Sequence, residues 1–180
     1  MSARVSSGPD SRQDYSTPAD FMAAVTRLFG PIAFDLAAQS ENAKAACWYG
    51  PGGDRPDALA ESARWAPLGG VCWLNPPVAD IAPWARKCSL ETGVVGDILL
   101  LVPAAVGANW FRDYVAPFAR IYLLNGRLSF DGQNLYPKDC LLAHYKRGEA
   151  GMVIWNWKRD ELYTEWVSRD GAQLALGGGR

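Results

Sequence analysis

Over residues 16–30 the apolar side chains Phe21, Val25, Leu28 and Phe29 recur at helical spacing, which predicts an amphipathic helix. Thr17 is placed to cap it, Pro18 suits its first position, Asp20 lies at its positive end and Gly30 stops it. The pattern then shortens. PIAFD (31–35) predicts a buried strand ending on Asp35, and VCWL (71–74) predicts a second. Between them, residues 36–65 read as loops and short elements with a turn at PGGD. A helix is expected over 81–91, where Ile81, Trp84, Ala85 and Cys88 repeat, and another over 109–118. DILLLVPA (97–104) is the clearest strand, with ARIYLL (119–124) a further one. After Gly126, RLSF, DCLLAHYK and GMVIWNWK predict short strands joined by turns, followed by an amphipathic helix over 159–168.

Strands that alternate with helices and are nearly continuously apolar imply an α/β fold: a mostly parallel central sheet, finishing antiparallel, with helices on both faces. One domain is expected over 14–171, between a flexible arm (1–13) and a flexible tail (172–180). Ligands of such sheets sit at the carboxyl ends of strands, where this reading puts both Asp35 and Asn75.

Composition narrows the function. A chain of 180 residues, 49% hydrophobic and 21% charged, fits a single soluble domain. No stretch reaches the roughly 20 apolar residues of a membrane span, and the first residues lack the apolar core of a signal peptide. Cys47, Cys72, Cys88 and Cys140 show no paired spacing and His144 is the single histidine. This argues against a metal site, a secreted disulfide framework and a hydrolase triad, and for reduced thiols in a cytoplasm. His144, in CLLAHYK, reads as a core or edge residue. Net charge is −1, so any attraction for nucleic acid is local. From Phe111 onward ten Lys or Arg face eight Asp or Glu, against eight and eleven before it. Arg120, Arg127, Lys138, Lys146, Arg147, Lys158 and Arg159 would build such a face, or simply a solvated one.

The most informative stretch is VCWLNPPV (71–78), an apolar strand running directly into Asn75-Pro76-Pro77. A turn asparagine and two stiffening prolines explain the triplet structurally. The chemistry that needs it is methyl transfer to an exocyclic amine, whose conjugated lone pair makes a poor nucleophile. The Asn75 side-chain carbonyl and the Pro76 backbone carbonyl can accept both N–H bonds and aim that lone pair, and the prolines hold the acceptor rigid.

Further pieces extend this: DYSTPADF (14–21), LFGPIAFDLAA (28–38), ENAK (41–44), WLNPP (73–77), PWARK (83–87), LLVP (100–103), NWF (109–111), NGRLSF (125–130) and YPKD (136–139). In this order and spacing the chain resembles the phage-type DNA N6-adenine methyltransferases. The resemblance implies a Rossmann-like class I methyltransferase fold, S-adenosylmethionine as cofactor, and duplex DNA with a flipped adenine as substrate, without metal or membrane. It implies a phage or prophage protein working in a bacterial cytoplasm; the oligomeric state, monomer or weak dimer, is left open. Mapped by motif, Tyr15, Thr17 and Pro18 would lie over the cofactor, and Asp35, Leu36 and Ala37 would hold its methionine end. Asp57 and Leu59 would meet its adenosine. Asn75, Pro76 and Pro77 would be catalytic, with Asn75 also near the cofactor. Val78, Trp84, Arg127 and Lys138 would face DNA, although a surface salt bridge accounts equally for either of the last two.

Val78 departs from the resemblance, since an aromatic ring that stacks on the flipped base is usual after NPP. Stacking of this kind is worth about 1–3 kcal/mol. Trp73, Trp84 or Trp110 would replace the ring, or the pocket suits another amine (cytosine N4, RNA or a protein amide), or the protein binds without turnover. No separate target-recognition region is evident, so short or relaxed sequence specificity is expected.

Overall fold

The computed structural model describes residues 16–63, 65, 70–93 and 96–163. Among these residues seven strands form one sheet: β1 (Ile32–Asp35), β2 (Val71–Leu74), β3 (Asp97–Pro103), β4 (Arg120–Leu124), β5 (Cys140–Tyr145), β6 (Gly151–Asn156) and β7 (Glu161–Tyr163), in the order β1-β2-β3-β5-β4-β6-β7. β1, β2, β3, β4 and β6 point one way, and β5 and β7 oppose them. The expected antiparallel finish is therefore only partly right. The first reversed strand, β5, lies inside the sheet between β3 and β4.

Helices cover both faces. On one, α1 (Ala19–Phe29) buries Phe21, Ala24 and Val25 against Val71, Trp73, Leu99 and Leu101. Phe21 meets Trp157 edge to face at 5.3 Å between ring centres, and burying such a ring contributes about 1.5–3 kcal/mol. On the other, α2 (Ala82–Glu91) and a π-helical turn (Phe111–Val115) pack Ala85, Cys88, Phe111 and Val115 over Cys72, Leu74, Ile98 and Leu100. Alternate residues of β2 and β3 thus feed opposite cores, as a sheet covered on both sides requires.

Four expectations are corrected. Pro18, not Thr17, occupies the cap position of α1, with extended backbone (ψ 142°), and no side chain caps the helix there. The helix expected over 109–118 widens into π geometry at Phe111. RLSF is not a strand: its segment runs as an irregular loop. The helix expected over 159–168 is absent over 159–163, where Asp160 (φ 59°) makes a turn and β7 pairs back on β6; the rest of it lies outside the described residues. His144 is buried in β5, its Nε2 2.9 Å from the Asp97 carboxylate. No helix among the described residues is long and apolar enough to cross a membrane, and among those residues no cluster of His, Cys, Asp or Glu is placed to hold a metal ion.

Candidate active site

The carboxyl ends of β1, β2 and β3 lie at one edge of the sheet, and because β5 runs the other way its first residue, Cys140, pairs with Pro103 at that same edge. A cavity of about 500 Å³ opens there, within the roughly 300–1,000 Å³ of small-molecule sites. Adjacent strands are about 4.8 Å apart, so the step from β1 to β5 spans about 14 Å. Asn75, leaving β2, stands between the two ends of the cavity.

At the β1 end, Asp35 closes the strand and is buried. One carboxylate oxygen accepts the N–H of Ala37 (3.2 Å) and the other the N–H of Lys44 (2.9 Å). Burial nevertheless raises its pKa, opposed by those two hydrogen bonds and by the Lys44 charge. The intervening loop returns alongside β1: Asp35 N–H donates to Cys47 O, and Tyr49 N–H donates to Asp35 O. Gly50 (φ 139°) closes it, at a point where any Cβ would run into the Ala38 carbonyl. Lys44 brings its ammonium back to the cavity wall and donates to Ser16 Oγ at 2.6 Å.

At the centre, Asn75 Nδ2 donates to Thr17 Oγ1 at 3.2 Å. Thr17 is 3% exposed, so the hydroxyl that the helix does not use as a cap is spent on this amide. With that nitrogen donating to Thr17, the side chain's remaining acceptor is its carbonyl oxygen, and Asn75 lines the cavity. Pro76 behind it is buried, while Val78 beyond is 50% exposed on the rim.

At the β5 end the wall is Pro103, Cys140, Lys138 and two rings, Phe130 and Tyr136, which pack edge to face at 5.3 Å. Their loop is fixed from within. The Asp131 carboxylate accepts the N–H groups of Gln133 (2.9 Å) and Asn134 (2.7 Å) and the Asn134 side-chain amide (3.0 Å), which hold its pKa well below the usual range. Tyr136 N–H donates to Leu128 O at 2.7 Å and closes the loop. Burial pushes the Cys140 thiol up to about 12, so it lines the wall as a neutral, apolar group.

The cavity gathers Thr17, Asp35, Ala37, Asp57, Asn75, Pro76, Pro77, Val78, Trp84 and Lys138 from the residues singled out in the sequence. It does not gather the others. Leu36 is fully buried in the core and its N–H donates to Trp73 O. Leu59 donates its N–H to Asp57 Oδ1, Pro18 starts α1, and Tyr15 lies outside the described residues. Arg127 pairs with Asp139 at 3.2 Å on the surface. Of the three tryptophans considered for stacking, only Trp73 and Trp84 reach the cavity, and Trp73 is 1% exposed within the core. Ser16, Lys44, Tyr49, Phe130 and Tyr136 line the cavity without having been assigned a role. Four of them, Ser16, Lys44, Phe130 and Tyr136, fall in the motifs DYSTPADF, ENAK, NGRLSF and YPKD, the signal that the sequence holds for them.

Among curated proteins no match to the chain is found. The sequence model of one family, described as DNA N-6-adenine-methyltransferase (Dam), matches residues 6–170. That match takes in every strand of the sheet and every wall of the cavity, and the chain belongs to this family of DNA adenine-N6 methyltransferases.

Proposed function

We propose that the domain transfers a methyl group from S-adenosylmethionine to N6 of adenine in DNA, with short or relaxed sequence specificity, and that the two reactants meet at Asn75. The observation that carries this reading is the Asn75 amide, tied by its nitrogen to buried Thr17 with its oxygen left to accept from an amine.

The cavity suits the cofactor. Asp35 is a buried carboxylate at the end of β1 that a cationic ammonium would neutralise, and the apolar residues beside it suit the rest of a nucleoside-bearing ligand. Asp35 holds the methionine end in this reading, with Ala37 beside it, and the Asp57 region meets the adenosine. When bound, S-adenosylmethionine supplies an electrophilic methyl carbon on a positively charged sulfur. Asn75 Oδ1 and the Pro76 carbonyl accept the two N–H bonds of N6 and turn its lone pair toward that carbon. With the cofactor bound, its methyl carbon would pass from sulfur to N6, and the surplus proton on N6 would leave for solvent past these two acceptors. Positioning of this order supplies several kcal/mol without any charged base.

The stacking surface that Val78 cannot offer falls to Phe130 and Tyr136, on the opposite side of Asn75 from Asp35. Trp84 lines the same cavity from α2, and Lys138 on the wall provides a cation for the phosphate backbone. Among the described residues the chain runs through sheet, covering helices and cavity walls with no inserted recognition domain, which supports relaxed specificity.

The test is incubation of the purified protein with unmethylated DNA and isotopically labelled S-adenosylmethionine, digestion to nucleosides, and mass spectrometry. Label in N6-methyldeoxyadenosine is expected. Label in N4-methyldeoxycytidine instead, or none despite cofactor binding, would refute the assignment of the acceptor.

A further inference from the structure

Asp35 and Lys44 are built by one loop. The Lys44 backbone N–H fixes Asp35 Oδ2, while its side chain turns back to donate from Nζ to Ser16 Oγ, and both residues line the cavity. The two side-chain charges do not meet within ion-pairing distance of each other. The ammonium's hydrogen-bond partner is a neutral hydroxyl, and an ammonium carries three donors, so two remain for something else. Burial lowers the Lys44 pKa, opposed by the nearby charge of Asp35.

A buried carboxylate and a half-buried ammonium on one wall match a zwitterionic α-amino acid group, which carries both charges on a single carbon. Resting on the cofactor reading above, we infer that Lys44, with the Ser16 hydroxyl, is the recognition site for the α-carboxylate of the cofactor, opposite Asp35 on its ammonium. Ser16 then has two roles. It supplies a second donor to the carboxylate, and through Lys44 it fastens the segment entering α1 over the cavity, next to Thr17 and its bond to Asn75. A ligand that lacks the carboxylate leaves Lys44 facing a gap and loses a charge-assisted pair.

The alternative is that Lys44 only ties down Ser16. Decarboxylated S-adenosylmethionine separates the two, because it keeps the ammonium, sulfonium and adenosine and lacks only the carboxylate. Affinities of both compounds are measured by calorimetry for the full-length protein and for Lys44→Met. The wild-type protein is expected to prefer S-adenosylmethionine by at least about tenfold. Lys44→Met should lose that preference to within about twofold, through weaker binding of S-adenosylmethionine alone. Equal weakening of both compounds, or of neither, overturns the inference and leaves the cofactor reading standing. Failure of the wild-type protein to bind either compound defeats the cofactor reading, and this inference with it.

Discussion

Replacing Thr17 by valine tests the centre of the site without touching any reacting group. Valine keeps the shape of threonine and removes one hydroxyl, so the buried position stays filled while Asn75 Nδ2 loses its partner at 3.2 Å. A neutral hydrogen bond contributes about 0.5–1.5 kcal/mol, and leaving one partner unmade raises the penalty to about 1–3 kcal/mol. Asn75 is only partly buried, so it relieves part of that penalty by rotating its amide away. The rotation removes the carbonyl from the amine it should accept. A loss of about 1–2 kcal/mol in positioning corresponds to a fall in kcat of about 5- to 30-fold. Initial rates with labelled S-adenosylmethionine on unmethylated DNA give kcat, and calorimetry with S-adenosylhomocysteine gives cofactor affinity, expected within about twofold of wild type. Thr17→Ser restores the acceptor and should restore most of the rate. Three results would refute the reasoning: a wild-type kcat in Thr17→Val, an equal loss in Thr17→Ser, or a loss of cofactor affinity as large as the loss of rate. The last would mean that Thr17 acts on the cofactor directly, the role its motif implies.

Asn75→Ala removes the side-chain acceptor and should abolish measurable transfer while S-adenosylhomocysteine still binds; near-normal turnover would sink the assigned role. Phe130→Ala should weaken capture of an adenine analogue, 2-aminopurine in single-stranded DNA, by about 5- to 100-fold, whereas Val78→Tyr alone should change little because rings are already present. Adding Val78→Tyr to Phe130→Ala should recover part of the loss, and no recovery would show that the two positions do not serve one base. Asp35 has its pKa raised above 3.8, chiefly by burial, so its folded form holds the proton more tightly than the unfolded chain. Ionised Asp35 therefore costs stability above its folded pKa, and that cost disappears as pH falls through the window down to 3.8. If Asp35 holds the cofactor ammonium as proposed, binding needs the ionised form and should weaken over the same window, with a midpoint above 3.8 in a calorimetric pH series; a midpoint at or below it contradicts that role.

The six longer strands were legible because each is built on an apolar run of three residues or more, and such a run leaves few other structures open to it. Their order was not. β5 enters between β3 and β4 through pairings such as Leu101 with Leu142 and Tyr122 with Leu142, and no local pattern encodes a partner that distant in the chain. The missed turn at Asp160 has a plainer cause. Residues 159–168 carry helical spacing, but an aspartate tolerates the left-handed backbone at φ 59°, and the short hairpin it allows lets Glu161 pair with Asn156. RLSF alternates like a strand, yet the Asp131 carboxylate takes up the N–H groups that follow it, and the segment closes as a loop instead.

The same mechanism separates the site residues that could be found from those that could not. Asp35 and Asn75 follow strands, and a strand fixes where its end points. Lys44 and the pair Phe130 and Tyr136 lie on loops whose paths are set by one buried and one exposed aspartate collecting backbone N–H groups. Sequence spacing gives the aspartate but not the loop it folds. Read along the strand, the ring missing at Val78 is a defect in the position next to Asn75. In the folded chain, the Asp131 loop carries two rings to the far wall of the same cavity, fixed edge to face at 5.3 Å. If the base enters beside Asn75 as proposed, it would meet aromatic surface supplied from a distant segment, and the residue after Pro77 would be free to be small.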